Sequence, residues 1–222
     1  MKTLKLTIAF FLLVTASFSQ SPKYIGTMEK AIADLYAAQS PESFDPIINK
    51  LSRIGQAEKT EWEPYYYTSL AHVFKAFRIQ NLDAKDAVLD QAHAALKQAA
   101  ELSENNVEIV LFEGFINMIK IGVDPATRGQ SLSPGIMASF GKAMKMDPDN
   151  PRATLFMGQM QMGAAQFFGS GTEVPCGLIN RSLELFDSYK TTSTIAPSWG
   201  RTSALQYQKN CNTPEEETSE GN

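Results

Sequence analysis

The sequence predicts an all-α protein of about nine helices, stacked as antiparallel pairs. Three observations support this. Apolar residues recur at spacings of three and four through most of the chain. The periodic segments are separated by short Pro-, Gly-, Asn- and Asp-containing turns. One stretch also repeats another at an offset of 44 residues.

Met1–Ser19 stands apart from the fold. Lys2 and Lys5 form a basic start, Leu6–Val14 is apolar apart from Thr7, and Ser17 and Ser19 place small residues where a signal peptidase reads. Residues 1–19 are therefore expected to be a signal peptide, with Gln20 first in the exported chain. The apolar run is shorter than the roughly 20 residues a membrane span requires, so no stable membrane insertion is expected after cleavage. The helical domain is assigned to residues 20–211. Residues 212–222 form an acidic tail that lacks apolar residues and is expected to be disordered.

The whole chain has 20 Lys and Arg against 24 Asp and Glu. Removing Lys2 and Lys5 makes it more acidic, but Glu215, Glu216, Glu217 and Glu220 lie in the tail. The domain itself is near neutral and has no basic stripe, which excludes nucleic acid as an expected partner.

Pro22–Gln39 is the first predicted helix, with Tyr24, Ile25, Met28, Ile32, Leu35 and Tyr36 on one face. Ser40-Pro41 starts the second, which carries Phe44, Ile47, Ile48, Leu51 and Ile54 and ends at Gly55. A third runs from Glu61–Pro64 to about Ile79, through Tyr65, Tyr66 and Tyr67. Asp83 is the expected cap of a fourth that ends near Glu104. Val107–Ile121 is apolar nearly all round, as befits a helix buried between neighbours. Pro134–Met146, Pro151–Phe168, Leu178–Tyr189 and Pro197–Lys209 complete the set.

Residues 140–158 carry a resemblance to a known family. Ala143 sits on one helix, Pro148 lies in the turn, Gly158 returns on the next helix, and Phe140 is the large apolar residue before Ala143. Ala92, Leu96 and Ala99 form a similar small–large–small series. The pattern resembles the junction between tetratricopeptide (TPR) repeats. It implies a right-handed superhelical stack of antiparallel helix pairs, with four degenerate units and a terminal capping helix. Sliding Gln98–Phe115 onto Lys142–Gln159 pairs Ala99 with Ala143, Asn106 with Asn150 and Gly114 with Gly158. The usual period is about 34 residues, and the excess is assigned to an insertion, 123–133, expected to project from the stack.

The only cysteines, Cys176 and Cys211, are expected to form a disulfide in an exported chain, stapling the last hairpin. His72 and His93 have no Cys or spaced carboxylate to complete a metal site, so neither a metal nor a cofactor is expected. No nucleophile elbow, zinc-protease helix or phosphate loop occurs, and no catalytic residue is assigned.

The resemblance implies a concave face, built from the first helix of each pair, that binds a protein or peptide. Tyr65, Tyr66 and Tyr67 are candidate contacts there, since three consecutive helical residues cannot all face the core. Arg128 in the insertion is weighed as a ligand-binding cation against a structural ion pair or helix cap. Phe167 and Phe168 are candidates to cover a pocket. The leading expectation is a non-enzymatic, exported interaction module in the periplasm. The alternative is a periplasmic carrier of a small molecule held between repeats, favoured by a cavity lined with Tyr, Met and Phe.

Overall fold

A computed structural model describes residues 20–212, so the predicted leader and the tail beyond Asn212 lie outside the described residues. Among these there are nine α-helices, one 3₁₀ turn (Pro41–Ser43) and no strand. The helices are α1 (Pro22–Ala37), α2 (Phe44–Ala57), α3 (Glu63–Arg78), α4 (Leu82–Leu102), α5 (Val107–Val123), α6 (Pro125–Met146), α7 (Pro151–Phe168), α8 (Glu173–Ser188) and α9 (Arg201–Asn212). They pack as four consecutive pairs followed by α9, a TPR-like solenoid.

Side-chain caps set most of the starts. Ser21, Asn81, Asn106, Asp124 and Asn150 each accept a hydrogen bond from a first-turn backbone N–H. The cap of α4 is thus Asn81, not the expected Asp83, whose position is already inside the helix. Asn106 and Asn150 cap α5 and α7 alike, which gives the repeat a structural meaning.

The small residues at repeat junctions let helices approach closely. A Cβ on Gly114 would lie 2.8 Å from the Phe140 ring, and one on Gly158 would lie 3.1 Å from Ile179 Cγ1. Ala92, Leu96, Ala99, Phe140 and Ala143 are all buried, whereas Pro148 lies exposed in the turn.

Three further expectations are corrected. The 123–133 segment is not an insertion between helices: Val123 ends α5 and, after the Asp124 cap, the rest forms the start of α6. Asp124 accepts from Thr127 N–H, Pro125 occupies the first turn, and the helix continues through Pro134. Near that proline, the Ser133 hydroxyl donates to the Gly129 carbonyl. The eighth helix begins at Glu173, before Leu178, so Cys176 lies in its first turn. The ninth begins at Arg201, because residues 189–200 are a non-helical strap.

Cys176 and Cys211 are disulfide-bonded, Cα–Cα 5.6 Å, and tie the end of α9 to the start of α8. Such a bond fits an exported protein. No helix among the described residues is long and apolar enough to cross a membrane.

Candidate functional site: an aromatic cleft on the inner face

The inner face of the stack is built from α1, α3, α5 and α7, with the strap laid against it. The strap is bound at each end of its contact with the inner helices. Tyr67 Oη donates to the Ile195 carbonyl (2.9 Å), Trp199 Nε1 donates to Tyr66 Oη (3.0 Å), and Arg152 Nη1 donates to the Trp199 carbonyl (3.2 Å). Ile195 is fully buried. Burial pushes the Tyr66 and Tyr67 hydroxyls above the usual phenol range, so both remain protonated for these bonds.

Arg152 is the charge behind this arrangement. Its side chain is 1% exposed and pairs with Glu108 through Nε–Oε2 (2.8 Å) and Nη2–Oε1 (2.6 Å). Asn150, while capping α7, also donates Nδ2–H to Glu108 Oε1 at 2.7 Å. Burial opposes the arginine's charge, but the Glu108 carboxylate outweighs it and holds the guanidinium protonated. The Tyr189 ring lies 5.9 Å from the guanidinium carbon.

Trp199, so held, sits over an aromatic floor. Its ring centroid is 5.6 Å from those of Phe112, Phe115 and Phe156, and 6.3 Å from that of Phe74. Phe115 and Phe156 stack nearly parallel at 4.2 Å. Gly200 then turns the chain into α9 at φ +111°, and a Cβ there would lie 2.9 Å from Phe186.

Beside Trp199 the inner face opens into a cleft of about 700 Å³. Phe74, Phe77, Met118 and Ile119 supply its apolar surface, backed by the buried Phe115 and Phe156, with Tyr36 and Tyr207 at its sides. Tyr36 and Phe77 are 41% and 46% exposed, unusual for large apolar side chains on inner helices. The polar groups are Lys85 from α4, Gln159 from α7, and Thr202 and Ser203 from α9; Gln159 Nε2 donates to Ser203 Oγ.

None of the sequence-predicted contacts lines this cleft. Tyr66 and Tyr67 lie buried beneath it and hold the strap. Tyr65 packs against Gly55 of α2, where a Cβ would come within 2.7 Å of its ring. Arg128 makes a paired contact with Asp86 of α4, Nη2–Oδ2 2.8 Å, and donates to the Lys120 carbonyl in the last turn of α5. That pairing holds the Asp86 carboxyl below its usual range. Phe167 and Phe168 end α7, 82% and 77% exposed and edge-to-face with each other at 5.0 Å.

The lining residues carry one signal that the sequence does display. Tyr36 and Phe77 occur near the ends of α1 and α3, the first helices of successive pairs, where periodicity alone assigns them to the core. The position of Trp199 is not readable that way, because its segment looks helical and is not.

No family model matches the chain, and no curated protein resembles it closely enough to match. Among solved structures, the HusA haemophore from Porphyromonas gingivalis is similar over 90% of this chain and 98% of its own, with TM-score 0.76 and 23% sequence identity. A thermophilic TPR protein from Thermus thermophilus is similar over 75% of this chain and 81% of its own, with TM-score 0.47 and 14% identity. The first likeness establishes a shared fold.

Proposed function

We propose that this chain is a non-enzymatic, exported, periplasmic binding protein that carries a flat apolar small molecule, with a tetrapyrrole as the candidate. One observation carries the reading. The strap over residues 189–200 occupies the inner face where an extended peptide would lie in an open TPR groove, and leaves an aromatic cleft instead. About 700 Å³ is an ordinary size for a small-molecule site. Similarity to a haemophore across nearly the whole of both chains agrees in kind.

Neither histidine lines the cleft. Its apolar lining can grip a planar ring by stacking and dispersion against Phe, Tyr and Trp. Metal-free protoporphyrin IX is accordingly a fair probe. Titrating it into a Trp62→Phe variant, which leaves Trp199 as the reporter, should quench emission saturably at one site. Replacing Phe77, 46% exposed on the cleft wall, by Ala should weaken binding about tenfold, for loss of one stacked aromatic contact. Absence of saturable quenching would sink the tetrapyrrole reading.

A protein partner is the second reading, and the exposed Phe167–Phe168 pair favours it. Asn106 and Asn150 start α5 and α7 equivalently, so Phe167 corresponds to Val123, a residue of the cleft wall. A partner docking there would sit beside the cleft. Loss of a co-purifying polypeptide on changing both residues to Ser, with the cleft's ligand affinity unchanged, is the outcome that reading requires.

A further inference from the structure

Resting on the cleft reading above, we infer that the occupant is an acid: an apolar ring system bearing a carboxylate, selected by Lys85.

Lys85 is the only charged side chain among the residues lining the cleft, and it is half-buried. No Asp or Glu lines the same surface. Several neighbouring cations are already neutralised within the fold. Lys75 pairs with Asp45, Lys120 with Asp86 and Asp90, and Arg128 with Asp86. The carboxylate next to Lys85 in sequence is therefore shared by Arg128 and Lys120, and among the described residues Lys85 makes no ion pair. Asp83, in the first turn of the same helix, is exposed and does not line the cleft.

An ammonium beside an aromatic surface lies in a medium less polarisable than bulk water, so an arriving anion gains more from it than from an exposed lysine. The remaining polar groups, Gln159, Thr202 and Ser203, are neutral and belong to α7 and α9. The lining thus offers one anionic subsite, on the α4 side, and neutral hydrogen-bonding groups elsewhere. A neutral hydrocarbon would leave the Lys85 ammonium covered and unpaired, at a desolvation cost. A ligand with a carboxylate there removes that cost.

A pair of ring-matched probes isolates the charge from ligand identity. 1-Anilinonaphthalene-8-sulfonate carries an anion on the ring system that N-phenyl-1-naphthylamine presents without one. Binding of each is followed by Trp199 quenching in the Trp62→Phe protein. Lys85→Met should weaken the sulfonate about tenfold, the size of one partly desolvated charge-assisted contact, and leave the neutral amine within about twofold. Lys85→Arg should restore most of the sulfonate affinity, which shows that the Met variant lost charge and not its fold. Equal loss of both probes, an unchanged sulfonate affinity, or failure of both to bind near Trp199 would each overturn the inference. Neither probe is a tetrapyrrole, so failure of protoporphyrin IX alone would refute that ligand and leave this comparison decisive.

Discussion

Arg152 places a guanidinium where water hardly reaches, and its bonds to Glu108 make that tenable. Both carboxylate oxygens accept from it, Asn150 satisfies one of them further, and the third arginine nitrogen secures Trp199. Removing one partner leaves the other charge buried and unpaired. Arg152→Met should therefore lower unfolding free energy by about 3–5 kcal/mol, read from the urea midpoint. A loss below about 1 kcal/mol would mean the pair is far more hydrated than its burial implies. His72 is the opposite case, a titratable group with no compensation. Its Nδ1 is buried without a hydrogen-bond partner, and burial, with Lys75 nearby, pulls its pKa down to about 4 from 6.5. The unfolded chain binds that proton more readily, so this contribution to stability is intact above about pH 6.5 and is lost as pH falls towards 4. His93 is shifted the same way by burial. Changing His72 to Leu should flatten the stability curve over that window; an unaltered slope would contradict the assignment. Neither Arg152 nor His72 announces this in the sequence. One is a helix-start arginine after a proline, the other a histidine on an apolar stripe, and their environments are assembled from residues tens of positions away.

At the scale of elements, the strap and α6 hold the two departures from a plain repeat. α6 starts early because Asp124-Pro125 forms the same cap-then-proline signal as Asn150-Pro151. Gly129 and Pro134 obscure it, since both are poor in a helix interior. Tertiary contacts outweigh them, notably the Arg128–Asp86 pair that ties the first turns of α6 to α4. Arg128→Ala should cost about 1 kcal/mol, the scale of a partly exposed bridge, and leave protoporphyrin affinity unchanged; weakened binding at equal stability would instead place Arg128 in ligand recognition. The strap was hidden for a related reason. Pro197, Trp199, Leu205 and Tyr207 have helical spacing, yet residues 189–200 gain more from three bonds to the inner helices than from continuing a helix. α9 itself is mostly polar, with Ala204 its one fully buried apolar residue. Its attachment relies on the Cys176–Cys211 bond at one end and the strap at the other. The disulfide was legible because only two cysteines exist. The helices were legible because their periodicity is strong, and Asn106 and Asn150 kept the 44-residue repeat in register.

For the molecule as a whole, a TPR-like stack ordinarily exposes one continuous inner groove. Here residues 189–200 lie against it, leaving an open aromatic cleft beside Trp199. That arrangement could not be read from helix pattern, because it depends on where a non-helical segment returns to pack. On the proposed function the native occupant is a small molecule, and native mass spectrometry of the protein gently purified from the cells that make it is the decisive check. A discrete added mass of a few hundred daltons is expected (roughly what a site of this size holds), with its occupancy reduced on replacing Phe77 by Ala. A stoichiometric second polypeptide with no small-molecule adduct, retained by the Phe77 variant, would contradict it.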